Sequence, residues 1–165
     1  SLAAEGRGPS ARRASLGANT IDRIEIYKEN HRLEAWSGER LVKTYTVAVG
    51  FGGAGAKRVE GDRRTPEGTY RVDDRHPSTT FHRFLHVSYP NARDREAFRR
   101  GQVSGEIAPG VRIGGAIGIH GEKRGYAGLP HKWFDWTAGC IALDNDEIEE
   151  LYEAARANAV VVIHP

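Results

Sequence analysis

Apolar and polar residues alternate along residues 21–27, near the start of the chain, with the two-residue period of a half-buried β-strand. Residues 33–36 favour a second strand, and residues 41–50, rich in β-branched side chains and ended by glycine, favour a third. Turn-forming residues separate the three segments, at positions 28–30 and 37–38. The pattern therefore predicts an antiparallel β-meander.

The middle of the chain has weaker periodicity and more glycine. Residues 51–62 contain four glycines without the spacing of a phosphate-binding loop, so we expect a flexible loop beside a cleft. A Pro-Gly turn follows at residues 65–68. The next predicted elements are a strand, a polar loop, a second strand and a short basic helix, at residues 69–72, 73–80, 81–88 and 91–100.

The last third of the chain contains the most regular helical pattern. Asp144 and Glu147 have the spacing of a capping box, and apolar residues recur at helical spacing from Ile148 onward. We predict a helix over residues 145–157, which Asn158 can end. The flanking predictions are a loop, a strand, a long functional loop and a closing strand, at residues 102–112, 113–120, 122–135 and 159–163.

These elements predict a mainly β fold with one or two helices. A length of 165 residues fits one domain, residues 21–165, after a flexible N-terminal segment, residues 1–20. The net charge of +2 is too balanced to indicate a nucleic acid partner. Because no apolar run approaches the roughly 18 residues of a membrane helix, we expect no transmembrane segment. The chain as given shows no signal peptide.

Cys140, the one cysteine, is the strongest candidate for chemistry. Small residues precede it and leave room for a substrate, and the helix predicted just after it would favour a thiolate. His120 ends an apolar run and could accept the thiol proton, while the backbone N–H groups of Gly139 and Cys140 could face an oxyanion. A lone cysteine is often only a small buried hydrophobic residue, and that alternative stays open at this point.

The other histidines suggest weaker alternatives. His82 and His86 would share one face of a strand and, with His120 and Cys140, could form a zinc site, although the usual zinc-ligand spacings are missing. His131, in the long loop, is either a second active-site histidine or an exposed side chain. We expect no cofactor and no metal.

Two motifs resemble the L,D-transpeptidase (YkuD-like) catalytic domain family. The family's histidine and cysteine signature is similar to two segments here, Ile119-His120-Gly121 and Thr137-Ala138-Gly139-Cys140-Ile141. Its T-P-x-G-x-[FY] element is similar to Thr65-Pro66-Glu67-Gly68-Thr69-Tyr70. The resemblance covers roughly residues 21–164. The segments 135–142 and Ser88-Tyr89-Pro90-Asn91 further resemble the subgroup called YafK-like.

The resemblance implies a β-sandwich or partly closed barrel with Cys140 and His120 in a cleft. Cys140 would attack the diaminopimelate–D-Ala bond of a peptidoglycan stem peptide, with His120 as general base and the Gly121 carbonyl orienting its ring. The thioester would pass to an amine, which gives a cross-link or an attachment to a protein. The resemblance also implies a periplasmic or other extracytoplasmic, cell-wall-associated location.

Substrate contacts are predicted from residue type and from closeness to these motifs. Aromatic walls and an arginine would suit an anionic stem peptide. The candidates are Thr137, Trp136, Tyr89, Asn91, Arg112 and Tyr126, with Arg58 and Trp133 as further guesses.

Two positions depart from the family pattern. Ala138 stands where the family usually has histidine, and Ala142 stands where it usually has arginine or asparagine. Two alternatives to transpeptidation therefore stay open. One is a hydrolase of the same fold, which releases D-Ala or a wall-attached protein, and the other is a wall-binding module with an inert Cys140.

Overall fold

The computed structural model describes residues 16, 19–126 and 134–165. The strands are β1 (Ile21–Tyr27), β2 (Arg32–Ser37), β3 (Arg40–Thr46), β4 (Gly68–Ser78), β5 (His82–Val87), β6 (Gly118–His120), β7 (Ile141–Ala142) and β8 (Ala155–His164). The helices are α1 (Ala92–Ser104) and α2 (Asn145–Ala154). In this described part of the chain, neither helix is long and apolar enough to cross a membrane.

The eight strands form one sheet in the order β3-β2-β1-β8-β4-β5-β6-β7. Neighbours are antiparallel except for the parallel pairs β1–β8 and β6–β7. Beyond β3 the chain reaches the opposite edge of the sheet, because Ala48 pairs with Ala142 and Gly50 with Thr137. The sheet therefore curls into a partly closed barrel, which confirms the mainly β prediction and the implied fold.

The core lies under the central strands β1 and β8. Ile24 and Ile26 of β1 are completely buried, and Val161 and Ile163 of β8 are at most 2% exposed. Helix α2 packs onto β5 and β6 and buries Ile148 and Leu151 in the same core. Apolar alternation in the strands and helical spacing in α2 thus converge on one hydrophobic cluster, as their periods require.

Several element boundaries differ from the prediction for local reasons. Helix α2 stops at Ala154, because Ala155 has extended backbone and already pairs with Ile21 of β1. Asn158 does not end the helix and lies inside β8 with a φ of 61°. The segment 73–78, predicted as loop, belongs to β4, because its mostly polar residues 74–78 pair with β5.

Two more element boundaries differ from the prediction because of glycine or alanine residues with positive φ. The strand expected over residues 113–120 is reduced to β6, because Gly114 and Ala116 have positive φ values of 86° and 55°. Helix α1 extends beyond the predicted residue 100 to Ser104, and Gly105 ends it with left-handed backbone.

Leu16, inside the predicted flexible segment, is buried in the core. His131 and Trp133 lie outside the described residues.

Candidate active site

Parallel pairing of β6 with β7 brings Cys140 close to His120. Ile119 pairs with Ile141 and His120 pairs with Ala142, so Cys140, one residue before β7, lies beside Gly118. The sulfur is 3.5 Å from the carbonyl oxygen of Ala116, and the Gly118 N–H is directed at it. The predicted base is thus the last residue of β6, and the predicted nucleophile directly precedes the adjacent strand β7.

The ring of His120 is fixed by a hydrogen bond and by stacking. Its Nδ1 lies 2.7 Å from the carbonyl oxygen of Gly121, which can only accept, so Nδ1 carries the proton. In the neutral ring Nε2 then keeps its lone pair and can take a proton. His120 is 1% exposed, and its ring stacks on Phe81 with 4.0 Å between centroids. Trp136 borders the same ring at 5.9 Å.

Gly121 is itself held from two sides. Its N–H donates to the carbonyl oxygen of Phe81 at 2.9 Å. A Cβ on Gly121 would lie 2.5 Å from Oδ1 of Asn145, the first residue of α2, so only glycine fits here. Asn145 Oδ1 accepts from the N–H of Glu122, and Glu122 Oε2 accepts from the N–H of Asn145, both at 2.9 Å. The start of α2 therefore fixes the carbonyl that orients His120.

Two threonine hydroxyls shape the turn that carries Cys140. Thr137 Oγ1 donates to the carbonyl oxygen of Cys140 at 2.6 Å and accepts from the N–H of Gly139 at 3.2 Å. Thr65 Oγ1 donates to the carbonyl oxygen of Gly139 at 2.8 Å and accepts from the N–H of Gly50 at 2.9 Å. The Gly139 N–H, expected to face an oxyanion, is thus directed at Thr137.

The glycine-rich loop packs tightly against this turn. A Cβ on Gly139, whose φ is 135°, would lie 2.9 Å from the carbonyl oxygen of Arg64. A Cβ on Gly50 would lie 2.3 Å from the carbonyl oxygen of Arg63. The loop also closes on itself, because Gly52 N–H donates to Arg63 O at 2.7 Å. It lies beside the site as predicted, and its glycines allow close backbone approach.

The electrostatic surroundings of Cys140 differ from the expectation. Helix α2 begins at Asn145, after β7, so Cys140 is not at a helix N-terminus. Burial raises the pKa of the Cys140 thiol to about 11, and the Gly118 N–H and the charge of Lys57 only partly oppose that rise. Burial thus favours the neutral thiol, and the expected stabilisation of a thiolate by a helix N-terminus is wrong.

The buried Lys57 and the half-buried Asp62 form an ion pair that sequence reasoning missed. Lys57 Nζ donates to Asp62 Oδ1 and to the carbonyl oxygen of Val59, each at 3.0 Å. Burial alone would raise the pKa of Asp62, but backbone N–H groups, among them those of Arg58 and Arg64, and the Lys57 ammonium lower it overall. A lysine in a polar, glycine-rich loop gives no sequence signal of burial.

The six predicted substrate contacts separate into three groups. Thr137 and Trp136 lie at the site, the first buried in the Cys140 turn and the second against His120. Tyr89 and Asn91 build the scaffold: the buried Tyr89 hydroxyl donates to the carbonyl oxygen of Ile113, and Asn91 caps α1. The remaining two, Arg112 and Tyr126, are exposed.

Arg58, a further candidate for substrate contact, is exposed and forms an ion pair with Glu106 at 2.8 Å. The alternative zinc site is not assembled, since His82 contacts Glu149 and His86 contacts Asp73. Within residues 16, 19–126 and 134–165, no group of three or more His, Cys, Asp and Glu side chains is arranged to hold a metal ion.

The family to which this site belongs follows from comparison with known proteins. A family model described as the YkuD L,D-transpeptidase catalytic domain matches residues 21–163. The chain belongs to this family. It is also 26% identical over 136 residues to YafK of Escherichia coli K12, a protein itself named only provisionally as an L,D-transpeptidase. That match covers 79% of this chain and 45% of the relative.

Solved structures show the same fold. The helical cell shape determining protein Pgp2 from Campylobacter jejuni is similar with a TM-score of 0.64 and 22% identity, over 94% of this chain and 55% of that one. The L,D-transpeptidase from Xylanimonas cellulosilytica is similar with a TM-score of 0.55 and 17% identity, over 88% and 61% respectively. The chain thus spans about half the length of YafK and Pgp2.

Proposed function

We propose that this domain is an L,D-transpeptidase that acts on peptidoglycan stem peptides, with Cys140 as nucleophile and His120 as general base. The observation that carries the proposal is the bond from His120 Nδ1–H to the Gly121 carbonyl, because it leaves Nε2 as the base on the strand beside Cys140. Family membership supports the acyl-transfer class, and a peptidoglycan substrate would place the activity outside the cytoplasmic membrane.

Acylation begins with a neutral thiol. His120 Nε2 takes the proton of Cys140 as the sulfur attacks the carbonyl carbon of the diaminopimelate–D-Ala bond, so no free thiolate needs to accumulate. The Cys140 N–H is the donor that we assign to the oxyanion, because the Gly139 N–H is directed at Thr137. The C–N bond then breaks, His120 returns the proton to the D-Ala nitrogen, and a thioester remains.

In deacylation His120 again acts as the general base, this time on the acyl acceptor. His120 takes a proton from the incoming amine of a second stem peptide, the nitrogen attacks the thioester, and the Cys140 thiol is restored. Water in place of the amine would release a tripeptide, which is the hydrolase alternative. Ala138 is exposed and Ala142 is fully buried, and neither has a polar side chain that could select between an amine and water as the acceptor. The experiment therefore has to distinguish these two acceptors.

Product analysis tests the proposal. The protein is mixed with a disaccharide tetrapeptide that contains diaminopimelate, and the products are separated and weighed by mass spectrometry. We expect a cross-linked dimer that lacks one D-Ala, and no product from the Cys140→Ala variant. Tripeptide alone would replace the transpeptidase proposal by the hydrolase, and unchanged tetrapeptide would refute both for this substrate.

A further inference from the structure

Arg63 is an exposed arginine close to the turn that carries Cys140. The backbone of Arg63 and Arg64 packs so closely on Gly50 and Gly139 that neither glycine could carry a side chain. Arg64 packs on Gly139, the residue before Cys140, and Arg63 packs on Gly50, which itself lies against Gly139. The side chain of Arg63 therefore starts from the rim of the candidate active site.

The guanidinium of Arg63 carries an unused charge. It lies over the ring of Phe51, 5.0 Å from the centroid, and forms neither a hydrogen bond nor an ion pair with any residue that the structure describes. Two other cations of this loop are neutralised, since Lys57 pairs with Asp62 and Arg58 with Glu106. The adjacent Arg64 donates to the carbonyl oxygen of Gly52. Arg63 is thus left to bind an anion from outside the chain.

Phe51 holds this guanidinium beside the site. Its side chain is 53% exposed, an unusual position for a phenylalanine. Its backbone N–H donates to the carbonyl oxygen of Thr137 at 3.0 Å, which joins it to the Cys140 turn. A ring in this place orients the cation above it and offers an apolar surface to a ligand.

The backbone of Arg63 has the conformation that usually selects glycine. Its φ is 56°, in the left-handed region, and its carbonyl oxygen accepts from the Gly52 N–H at 2.7 Å. A residue with a long side chain is strained here, and such strain is concentrated at functional sites. The chain therefore carries a cation at a position where glycine would satisfy the fold.

We propose that Arg63, stacked on Phe51, binds a carboxylate of the peptide substrate and sets its position relative to Cys140. A guanidinium binds a carboxylate through two parallel hydrogen bonds, which also fixes direction. This inference rests on the proposed function for its substrate. A stem tetrapeptide offers two such groups close to the scissile bond, the terminal D-Ala carboxylate and the carboxylate at the D-centre of diaminopimelate.

Binding to a Cys140→Ala protein tests the site without any turnover, so failure of the acyl transfer and failure of the carboxylate site remain distinguishable. Calorimetry compares the tetrapeptide with two analogues, one a carboxamide at D-Ala and the other a carboxamide at the diaminopimelate D-centre. We expect one analogue to bind about 10-fold more weakly than the acid, because a charge-assisted hydrogen bond is lost, and that analogue identifies the carboxylate.

Variants of Arg63 complete the test in the same Cys140→Ala background. Arg63→Gly relieves the backbone strain and should fold normally, yet it should bind the acid about 10-fold more weakly and no longer distinguish the acid from the amide. Phe51→Leu should show a smaller loss of the same kind. Arg156→Ala, which removes an exposed arginine of β8, should bind as tightly as the parent. Equal binding of acid and both amides by the parent, or unchanged binding by Arg63→Gly, would overturn the proposal.

Discussion

The hydroxyl of Thr65 donates a 2.8 Å hydrogen bond to the carbonyl oxygen of Gly139, 74 positions later in the chain. The Thr65 Oγ1 also accepts from the N–H of Gly50, so one buried side chain joins the end of the β-meander to the turn that presents Cys140. Thr65 opens the T-P-x-G-x-[FY] element, and this contact gives that element a structural purpose at the site.

Replacing Thr65 by valine should impair both folding and activity. The change keeps the shape of the side chain but leaves the Gly50 N–H and the Gly139 carbonyl without their partner, at a cost of about 1–3 kcal/mol for each buried group. The released turn should shift Cys140 and lower turnover by roughly 10- to 100-fold. Chemical denaturation and a product assay measure the two effects.

The matched control for this variant is Thr65→Ser. Serine keeps the hydroxyl, so it should retain most of the activity and lose only the packing of one methyl group. Equal activity of the valine and serine variants would show that the hydrogen bonds do not position the turn.

The reactivity of Cys140 towards iodoacetamide should depend strongly on pH. Because burial raises the pKa of the thiol to about 11, alkylation should be slow at neutral pH and should accelerate up to about that value, well above the roughly 8.5 of a free cysteine. Stopped alkylation followed by intact-protein mass gives the profile. A rate that is already maximal at pH 7 would reveal a resting thiolate and would contradict the general-base mechanism.

The charge of Lys57 should moderate that pKa. Lys57→Gln removes the ammonium that lowers the pKa of Cys140, so the alkylation profile should move to still higher pH. Lys57→Arg keeps the charge and should move the profile less. An unchanged profile in Lys57→Gln would show that this buried cation only holds its loop together through Asp62.

Loss of the Glu122–Asn145 contact should weaken catalysis more than folding. Asn145→Ala removes the acceptor of the Glu122 N–H and frees the Gly121 carbonyl, so the ring of His120 loses its fixed orientation. We expect roughly a 10-fold lower kcat. Asp146→Ala, in the same helical turn, is the control and should leave kcat nearly unchanged. Equal losses in both variants would assign the effect to the helix terminus.

Sequence periodicity located the strands and the core better than it located the contacts of the site. The alternation in residues 21–27 and the helical spacing from Ile148 are enough to predict β1 and α2, because a strand and a helix that bury one face in the core must show those periods. The clustering of Cys140 and His120 followed from motif resemblance. It depends on parallel pairing of β6 with β7, two short strands that periodicity alone cannot pair.

Other features depend on tertiary contacts that leave no local pattern. The burial of Lys57 and the raised pKa of Cys140 arise from chain segments that meet only in the folded barrel. The sequence predicts a thiolate because a helix follows Cys140. In the structure β7 lies between Cys140 and that helix, so the N-terminus of the helix is not next to the sulfur.

Intact-protein mass spectrometry can detect the acyl-enzyme that Cys140 would form with the stem peptide. The protein is mixed with the stem tetrapeptide, quenched in acid within the first turnovers and weighed. We expect an added mass equal to the tetrapeptide minus D-Ala, located on the peptide that contains Cys140, and no added mass on Cys140→Ala. Product formation without any adduct on Cys140, or with an adduct on another residue, would contradict it.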